Sequence, residues 1–159
     1  MKRPWNLIDY QVYSLATYDH DKVNMNILTY ATGVSMKPKK YVLGVYLNTK
    51  TLENLNKNEH AVLQILTTDH INLVRLLGKR SGMNTDKHQY LSKKDVLDSW
   101  KGNLVLSNCA GLIHLQKIES KTTGDHELVI LDVKAYSSFL TSAELLNTKH
   151  LHDKNIIAV

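Results

Sequence analysis

The sequence of 159 residues contains one cysteine, two prolines and one phenylalanine. The single cysteine, Cys109, excludes an internal disulfide and any metal cluster that is held by several cysteines. Cys109 stands between Asn108 and Ala110 in a region with the pattern of a β-strand. We therefore interpret it as a small residue of the core rather than as a nucleophile.

Long apolar stretches are also missing, because no run approaches the roughly 18 residues that indicate a membrane span. Lys2 and Arg3 are not followed by the apolar segment that a secretory signal requires. We therefore expect a cytoplasmic protein without a membrane partner.

Blocks of like charge are absent as well. The formal net charge is +5 and the isoelectric point is about 9.2, which is compatible with nucleic acid, a membrane surface or a small anionic ligand. The lysines are scattered, and Lys93 and Lys94 are followed at once by Asp95. No stripe of basic and aromatic residues occurs, which argues against a nucleic-acid-binding barrel. A mild positive bias suits a protein that binds a phosphorylated cofactor.

Alternation of apolar and polar residues predicts mostly β-structure. The segment from Val23 to Ala31 has a period of two, Gly33 ends the run, and Pro38 marks an exposed turn before a second strand. Polar residues at 19–21 and 122–125 predict hairpin turns. The other predicted strands are Gln11–Tyr18, Tyr41–Leu47, His60–Leu66, Leu104–Ser107, Ala110–Glu119 and Glu127–Tyr136.

Three short helices are predicted, over residues 50–57, around residues 73–77 and from Thr141 through Asn147. The segment from Asp86 to Trp100 is polar, and we expect it to be irregular or weakly helical. The length suits a single domain over residues 1–159. Antiparallel strands with tight turns favour a mainly β fold with short helices, arranged as a small barrel rather than as a parallel doubly wound sheet.

Two segments are suited to bind a phosphate. Asn48-Thr49-Lys50-Thr51 stands at a predicted helix start, where backbone N–H groups, hydroxyls and an ammonium come together. Gly78-Lys79-Arg80-Ser81-Gly82 places two glycines around two cations and a hydroxyl. The alternative for the second segment is a surface turn.

Histidines give weaker indications. His150 and His152 with Asp153 are too small a set to indicate a metal, and we predict no metal site. His20 is expected to be a solvated turn residue, and His114 a packed or interface residue. No nucleophile and base stand together in the pattern of a covalent catalytic site.

Four pieces of sequence occur in an order that is typical of one known family. Together they resemble the flavin reductase-like family with the FMN-binding split barrel, and the resemblance covers about residues 10 to 140. The pieces are Thr29-Tyr30-Ala31-Thr32 with Val34-Ser35, Asn48-Thr49-Lys50-Thr51, Gly78-Lys79-Arg80-Ser81-Gly82 followed by Thr85-Asp86-Lys87, and Gly124-Asp125-His126.

The resemblance implies a homodimer that holds FMN, or FAD through its FMN half, at the subunit interface. It also implies NAD(P)H as the electron donor and a flavin-dependent oxygenase as a candidate partner. By the same resemblance, residues 29–32 lie along the isoalloxazine ring, and residues 48–51 and 78–82 receive the ribityl phosphate. The implied cofactor-binding residues are Thr29, Tyr30, Ala31, Thr32, Ser35, Asn48, Thr49, Lys50, Thr51, Gly78, Lys79, Arg80, Ser81 and Gly82, and the implied catalytic residue, near flavin and nicotinamide, is His126.

Hydride transfer between nicotinamide and flavin needs no protein nucleophile, because catalysis comes from holding the reacting atoms at close range. The absence of a nucleophile and base is therefore expected for a flavin reductase. Tyr30 and Tyr46 either stack on the ring or fill the barrel. Two alternative functions stay open: a flavin-carrying electron-transfer module without NAD(P)H turnover and, less favoured, a nucleic-acid-binding barrel.

Overall fold

The computed structural model describes residues 3–139 and 141–158. In that part of the chain, 3-10 helices cover Pro4–Leu7 and Thr68–Leu73, and no helix is long and apolar enough to cross a membrane. The strands are β1 (Tyr13–Asp19), β2 (Lys22–Met25), β3 (Ala31–Met36), β4 (Lys39–Tyr46), β5 (His60–Ile65), β6 (Leu97–Trp100), β7 (Asn103–Leu106), β8 (Gly111–Thr123) and β9 (His126–Ser138). The α-helices are α1 (Lys50–Lys57), α2 (Val74–Lys79), α3 (Lys87–Lys93) and α4 (Thr148–Asp153).

Seven strands form one antiparallel sheet in the order β2-β1-β5-β8-β9-β4-β3, and β6 and β7 form a separate hairpin. The segment Asn26–Tyr30 closes the sheet into a barrel. Leu28 exchanges two backbone hydrogen bonds with Tyr13 of β1, at 2.9 and 3.0 Å, and the Tyr30 carbonyl accepts one from the Gly44 N–H of β4 at 2.9 Å. The predicted antiparallel barrel, mainly β with short helices, is therefore confirmed.

The single strand predicted over Val23–Ala31 is wrong, because β2 ends at Met25. The side-chain oxygen of Asn26 accepts a hydrogen bond from the Leu15 N–H at 3.0 Å. This bond interrupts the regular backbone pairing with β1 after Met25, and the pairing resumes in the same register at Leu28 and Tyr13. Gly33 does not end a strand either, since it lies inside β3 beside a β-bulge.

Two further segments differ from the prediction. Residues 86–100 contain the regular elements α3 and β6. The last helix is α4 and not 141–147, because Asn147 is its N-cap. The Asn147 side chain accepts from the His150 N–H at 3.3 Å, and the His150 ring accepts from the Asn147 N–H at 3.2 Å, which forms a capping box.

Apolar side chains form two buried layers on either side of the sheet. Leu15, Leu63 and Leu115 fill the inside of the barrel. The outer layer packs the sheet against α2, α3, α4 and the β6–β7 hairpin, whereas the leucines of α1 belong to the inner layer. Cys109 belongs to this outer layer, and burial raises the pKa of its thiol to about 12. The interpretation of Cys109 as a core residue is thus confirmed.

Three of the histidines outside the cleft are a packed pair and a surface residue, and they do not form a metal site in the described part of the chain. His114 of β8 lies 3.1 Å from His60 of β5 between ring nitrogens, and burial lowers the pKa of His114. His20 is a solvent-exposed turn residue with φ of 55°. Among the described residues, no group of three His, Cys, Asp or Glu side chains could hold a metal ion.

Gln64 of β5 joins the sheet to the β6–β7 hairpin. This side chain is fully buried, its carbonyl oxygen accepts from the Leu106 N–H at 2.6 Å, and its amide donates to the Ser14 hydroxyl at 3.2 Å. An apolar side chain of similar size would leave both partners without these bonds inside the core.

We expect Gln64→Leu to lower the free energy of unfolding by about 1–3 kcal/mol, the cost of leaving a buried donor unpaired. Gln89→Leu makes the same change on the exposed surface of α3 and should alter stability by less than about 0.5 kcal/mol. Urea unfolding of both variants measures the difference. Equal losses in the two variants would contradict this role of Gln64.

Candidate functional site

A cleft of about 500 Å³ opens where the barrel closes. One wall is the closing segment Asn26–Tyr30, and the others are the start of α1 at Thr49–Thr51 and the loop Gly78–Gly82. Tyr46 of β4 and His126 of β9 line it from the sheet. Three segments that are distant in sequence thus meet around one cavity.

Most residues that the resemblance assigns to cofactor binding line this cleft. Ala31, Thr32 and Ser35 do not, because they lie on β3 at the edge of the sheet. Asn48 does not line it either; its φ of 58° makes it the turn residue that leads β4 into α1. The roles of these residues stay predictions. The predicted residues on the cleft are Thr29, Tyr30, Thr49, Lys50, Thr51, Gly78, Lys79, Arg80, Ser81, Gly82 and His126.

The lining of the cleft carries positive charge. Lys50, Lys79, Arg80 and Lys87 line it, and no aspartate or glutamate among the described residues does so. A concave surface of one sign concentrates ions of the opposite sign. The cleft is therefore suited to an anionic ligand.

Lys50 is already paired on the protein side. Its ammonium lies 3.0 Å from the Asp19 carboxylate and 2.8 Å from the Glu53 carboxylate. These bonds raise the pKa of Lys50, and the hydrogen bonds from Lys50 and Lys57 lower the pKa of Glu53 to about 2. A phosphate would have to compete with two carboxylates for this ammonium.

Lys79 and Arg80 are exposed on the loop, and neither has an ion pair with a carboxylate in the described part of the chain. The Arg80 guanidinium lies over the Tyr90 ring at 5.4 Å from its centroid. This contact holds the side chain without neutralising it. Arg80 thus offers its hydrogen-bond donors to a ligand.

The start of α1 provides backbone donors to the same cavity. Thr49 is the N-cap: its hydroxyl accepts from the Leu52 N–H at 3.3 Å and donates to the Tyr46 carbonyl at 2.8 Å. The first helical hydrogen bond runs from the Glu53 N–H to the Thr49 carbonyl. The amides of Lys50 and Thr51 precede it, and such first-turn amides favour an anion.

The loop is an ordered turn rather than an open stretch. The Ser81 carbonyl accepts from the N–H groups of Asn84 and Thr85, at 3.2 and 3.0 Å, and the Ser81 hydroxyl accepts from the Met83 N–H. Gly82 lies against Asn24 and Lys50, where a Cβ would collide with the Asn24 side chain. The glycine is thus needed for close approach of the loop to α1 and β2.

His126 lies on the aromatic side of the cleft. Its ring centroid is 3.9 Å from that of Tyr46 and 5.2 Å from that of Tyr30. Nδ1 of His126 lies 2.6 Å from the Asp125 carboxylate, and this hydrogen bond lowers the pKa of Asp125. Because Nδ1 is engaged, Nε2 is the ring nitrogen that is left for a ligand.

Half of the residues that line the cleft are missing from the set predicted from sequence, and three of these shape it through specific contacts. Asn24 donates a hydrogen bond to the Thr51 hydroxyl at 3.2 Å. Gly44 gives Tyr30 room, since a Cβ at Gly44 would lie 3.1 Å from the Tyr30 Cβ. Lys87 is buried and donates to two backbone carbonyls. The sequence held a signal for two of them. Gly44 is a glycine inside an apolar strand, which indicates close approach of another segment, and Lys87 ends the piece Thr85-Asp86-Lys87 that follows the glycine loop.

Comparison with known proteins identifies a family for the chain. The family model of the flavin reductase like domain matches residues 5–151. No curated protein sequence gave a significant match.

Among solved structures, the chain is similar to an FMN-binding protein from Thermus thermophilus with bound p-hydroxybenzaldehyde. The two share 20% identity and a TM-score of 0.76, over 87% of this chain and 77% of that one. It is also similar to the styrene monooxygenase flavin reductase of Pseudomonas putida S12, with 16% identity and a TM-score of 0.70 over 83% and 82% of the two chains. A third is the NADH:FAD oxidoreductase SgcE6 of Streptomyces globisporus C-1027 with NAD and FAD fragments, with 12% identity and a TM-score of 0.74 over 88% and 81%. At these identities the likeness establishes the fold.

The two glycines of the loop should respond differently to alanine. Gly82→Ala forces Asn24 or the loop to move, and we expect it to lower the free energy of unfolding by about 1–3 kcal/mol. Gly78 is the matched control: it lies in α2, its Cβ would be 3.4 Å from Ile27, and alanine there should be neutral or stabilise by up to about 1 kcal/mol. Chemical unfolding measures both values. A Gly82→Ala protein as stable as the wild type would contradict the tight approach.

Proposed function

Because the chain belongs to the flavin reductase-like family, we propose that it binds FMN in the cleft and transfers hydride from NAD(P)H to flavin. FAD, bound through its FMN half, is the alternative cofactor. The observation that carries the proposal is the lining of the cleft, which joins basic side chains and helix-start amides to an aromatic wall without any lining carboxylate in the described residues.

The basic end of the cleft fits the phosphate of the cofactor. The amides of Lys50 and Thr51 and the loop side chains of Arg80 and Ser81 converge on it. Arginine can donate two parallel hydrogen bonds to phosphate oxygens. Arg80 and Ser81 are implied by the resemblance and also have side-chain donors free for a ligand. Lys50 is implied as well, but its ammonium is shared with two carboxylates.

The other end fits a flat ring. The closing segment presents the backbone of Thr29 and Tyr30, and His126 lies opposite with its ring held by Asp125 and Tyr46. When bound, the flavin would supply the hydride-accepting ring. The protein would hold the reactants in place: residues 29–30 would orient the flavin ring and His126 would orient the nicotinamide. Catalysis would come from the close approach of the reacting atoms.

The proposed protein is a homodimer with the flavin near the subunit interface. Large apolar side chains are exposed on strands β3, β8 and β9, at the same end of the sheet order, and such exposure is typical of contact surfaces. A second protomer on these strands would cover the sheet edge at β3 and bring Ala31, Thr32 and Ser35 near the cofactor. The proposal keeps a flavin-dependent oxygenase as the acceptor of reduced flavin and the cytoplasm as its location. The exposed residues are Val34, Met36, Ile118, Leu128 and Tyr136.

A flavin-carrying electron-transfer module is the second candidate. It is favoured by the contact of the Tyr46 ring with the His126 ring at 3.9 Å, which occupies a face of the imidazole. A flavin carrier needs no space for nicotinamide beside His126. A reductase needs a face of the His126 ring, or the space next to it, to be accessible to nicotinamide. Turnover of NAD(P)H separates the two functions.

The first experiment combines binding with turnover. We expect FMN titration to quench flavin fluorescence and to raise the melting temperature, because binding to the folded state stabilises it. We also expect NADH or NADPH oxidation that depends on added flavin. Binding without oxidation would favour the carrier, and the absence of both binding and oxidation would refute the flavin proposal.

The second experiment tests the phosphate contact. Arg80→Ala should weaken FMN binding by about 1.5–3 kcal/mol, the worth of a charged hydrogen bond, and leave riboflavin affinity unchanged. Lys50→Ala should cost less, because its ammonium is shared with Asp19 and Glu53. Lys93→Ala removes an equal charge on α3 outside the cleft and serves as the control. Equal FMN affinity for the Arg80 and Lys93 variants would contradict the assignment.

A further inference from the structure

Lys87 is a buried cation with no carboxylate partner. Its side chain is only 4% exposed, and its Nζ donates to the Met25 carbonyl at 2.9 Å and to the Leu77 carbonyl at 2.8 Å. Both acceptors are neutral, so they satisfy two N–H groups without cancelling the charge. Burial of an ammonium without an opposite charge is costly, and proteins retain such groups mainly where they have a use.

Charged and titratable groups near Lys87 on α3 and β2 leave it uncompensated. Asp86, the preceding residue, lies 2.8 Å from the Lys22 ammonium and also caps α3. The Nδ1 of His88 accepts a hydrogen bond from the Val23 N–H at 3.3 Å, which requires that nitrogen to be unprotonated.

The elements across the cleft add positive charge. Lys50 of α1 uses Asp19 and Glu53 as its own partners. Lys79 and Arg80 of the loop line the same cavity as Lys87. The two carboxylates that share a neighbouring cavity with Lys87, those of Asp19 and Asp86, are paired with Lys50 and Lys22, and among the described residues no carboxylate lies within 4 Å of the buried ammonium.

The contacts of Lys87 also join the walls of the cleft. Met25 is the last residue of β2, directly before the closing segment 26–30. Leu77 stands directly before the loop 78–82. The ammonium thus bridges the origins of two walls, at a position where its charge faces the space between them.

We propose that Lys87 couples binding of an anionic ligand in the cleft to a proton: the ligand supplies the counter-charge that the protein lacks, and its binding keeps Lys87 protonated. This inference rests on the proposed function, with FMN as the anion. It assigns a role to a residue outside the phosphate-binding motifs.

Burial lowers the pKa of Lys87 to about 8 in the free protein. A bound anion favours the charged ammonium and raises this pKa. At pH 7 the lysine is protonated with or without ligand, so no proton moves. Above pH 8 the free protein has lost the proton and binding takes it up, so the affinity for the anion falls by up to about tenfold per pH unit.

In the free protein, the contribution of Lys87 to the free energy of unfolding changes with pH in the direction opposite to the affinity for the anion. The pKa of Lys87 in the folded state lies below the ordinary value of 10.5. The unfolded chain therefore binds more protons between pH 8 and 10.5, and the contribution of Lys87 to stability rises with pH in this window. Lys87→Met should remove that rise.

Isothermal titration calorimetry tests the coupling. FMN and riboflavin are titrated at pH 7.0 and 9.0, each in two buffers of different ionisation enthalpy, which counts the protons taken up. The second pKa of the FMN phosphate is about 6, so the phosphate carries nearly its full charge at pH 7.0 and all of it at pH 9.0. Riboflavin has the same ring without phosphate and reports any titration of the ring.

We expect FMN binding to take up close to one proton per site at pH 9.0 and close to none at pH 7.0, with no uptake for riboflavin. The FMN affinity of the wild type should fall about tenfold between pH 7.0 and 9.0. Lys87→Met should bind FMN more weakly at pH 7.0 and without this pH dependence, and Lys93→Met, the same change on the surface of α3, should behave as the wild type. No uptake by the wild type at pH 9.0, or undiminished uptake by Lys87→Met, would overturn the inference.

The wild-type proton count decides the question by itself if Lys87→Met does not fold. If neither flavin binds at either pH, the proposed function fails, and inorganic phosphate becomes the probe in thermal unfolding. Stabilisation of the wild type at pH 7.0 that disappears at pH 9.0 and is absent in Lys87→Met would support Lys87. Equal stabilisation of both proteins, or none, would overturn it.

Discussion

Closure of the barrel at Asn26 is the constraint on which the cleft depends. Because the Asn26 side chain occupies the Leu15 N–H, regular pairing with β1 is interrupted after Met25, and the chain pairs with β1 once more at Leu28 before it crosses to β4. The crossing segment is held at both ends by backbone hydrogen bonds, through Leu28 on β1 and Tyr30 on β4. The cavity lies beside this interrupted stretch of pairing, between α1 and the glycine loop.

The electrostatics of this cavity follow from the positions of the carboxylates. Asp19 and Glu53 hold Lys50 but do not line the cleft, so the lining stays positive. For Lys79 and Arg80 this has little cost, because both are exposed and hydrated. For Lys87 the lack of a nearby carboxylate costs free energy of folding, because this charged side chain is buried. Such a residue lowers the stability of the free protein, a cost that is characteristic of binding sites.

Strands with long, regular alternation were predictable from the sequence. The predicted segments for β1, β4, β5, β8 and β9 coincide with observed strands. Three of the errors share one cause, which is a polar side chain bonded to backbone: Asn26 interrupts a predicted strand, Asp86 caps α3, and Asn147 with His150 caps α4. Such local bonds compete with ladders and set helix ends, and the periodicity of apolar residues carries no information about them.

The sequence located the candidate site better than it assigned roles within it. Lys50 stands in a motif that predicts a free ammonium, but the fold brings Asp19, 31 positions earlier, against it. Lys87 stands in a polar stretch without periodicity, and its burial depends on α3 packing against β2. The pair with Glu53, three residues along the same helix, could be anticipated from the sequence. The pair with Asp19 and the burial of Lys87 are properties of the tertiary structure and could not. Lys50, which stands in the segment 48–51, is neutralised by carboxylates of the protein. Lys87, which is buried, is the cation for which we propose that a ligand supplies the opposite charge.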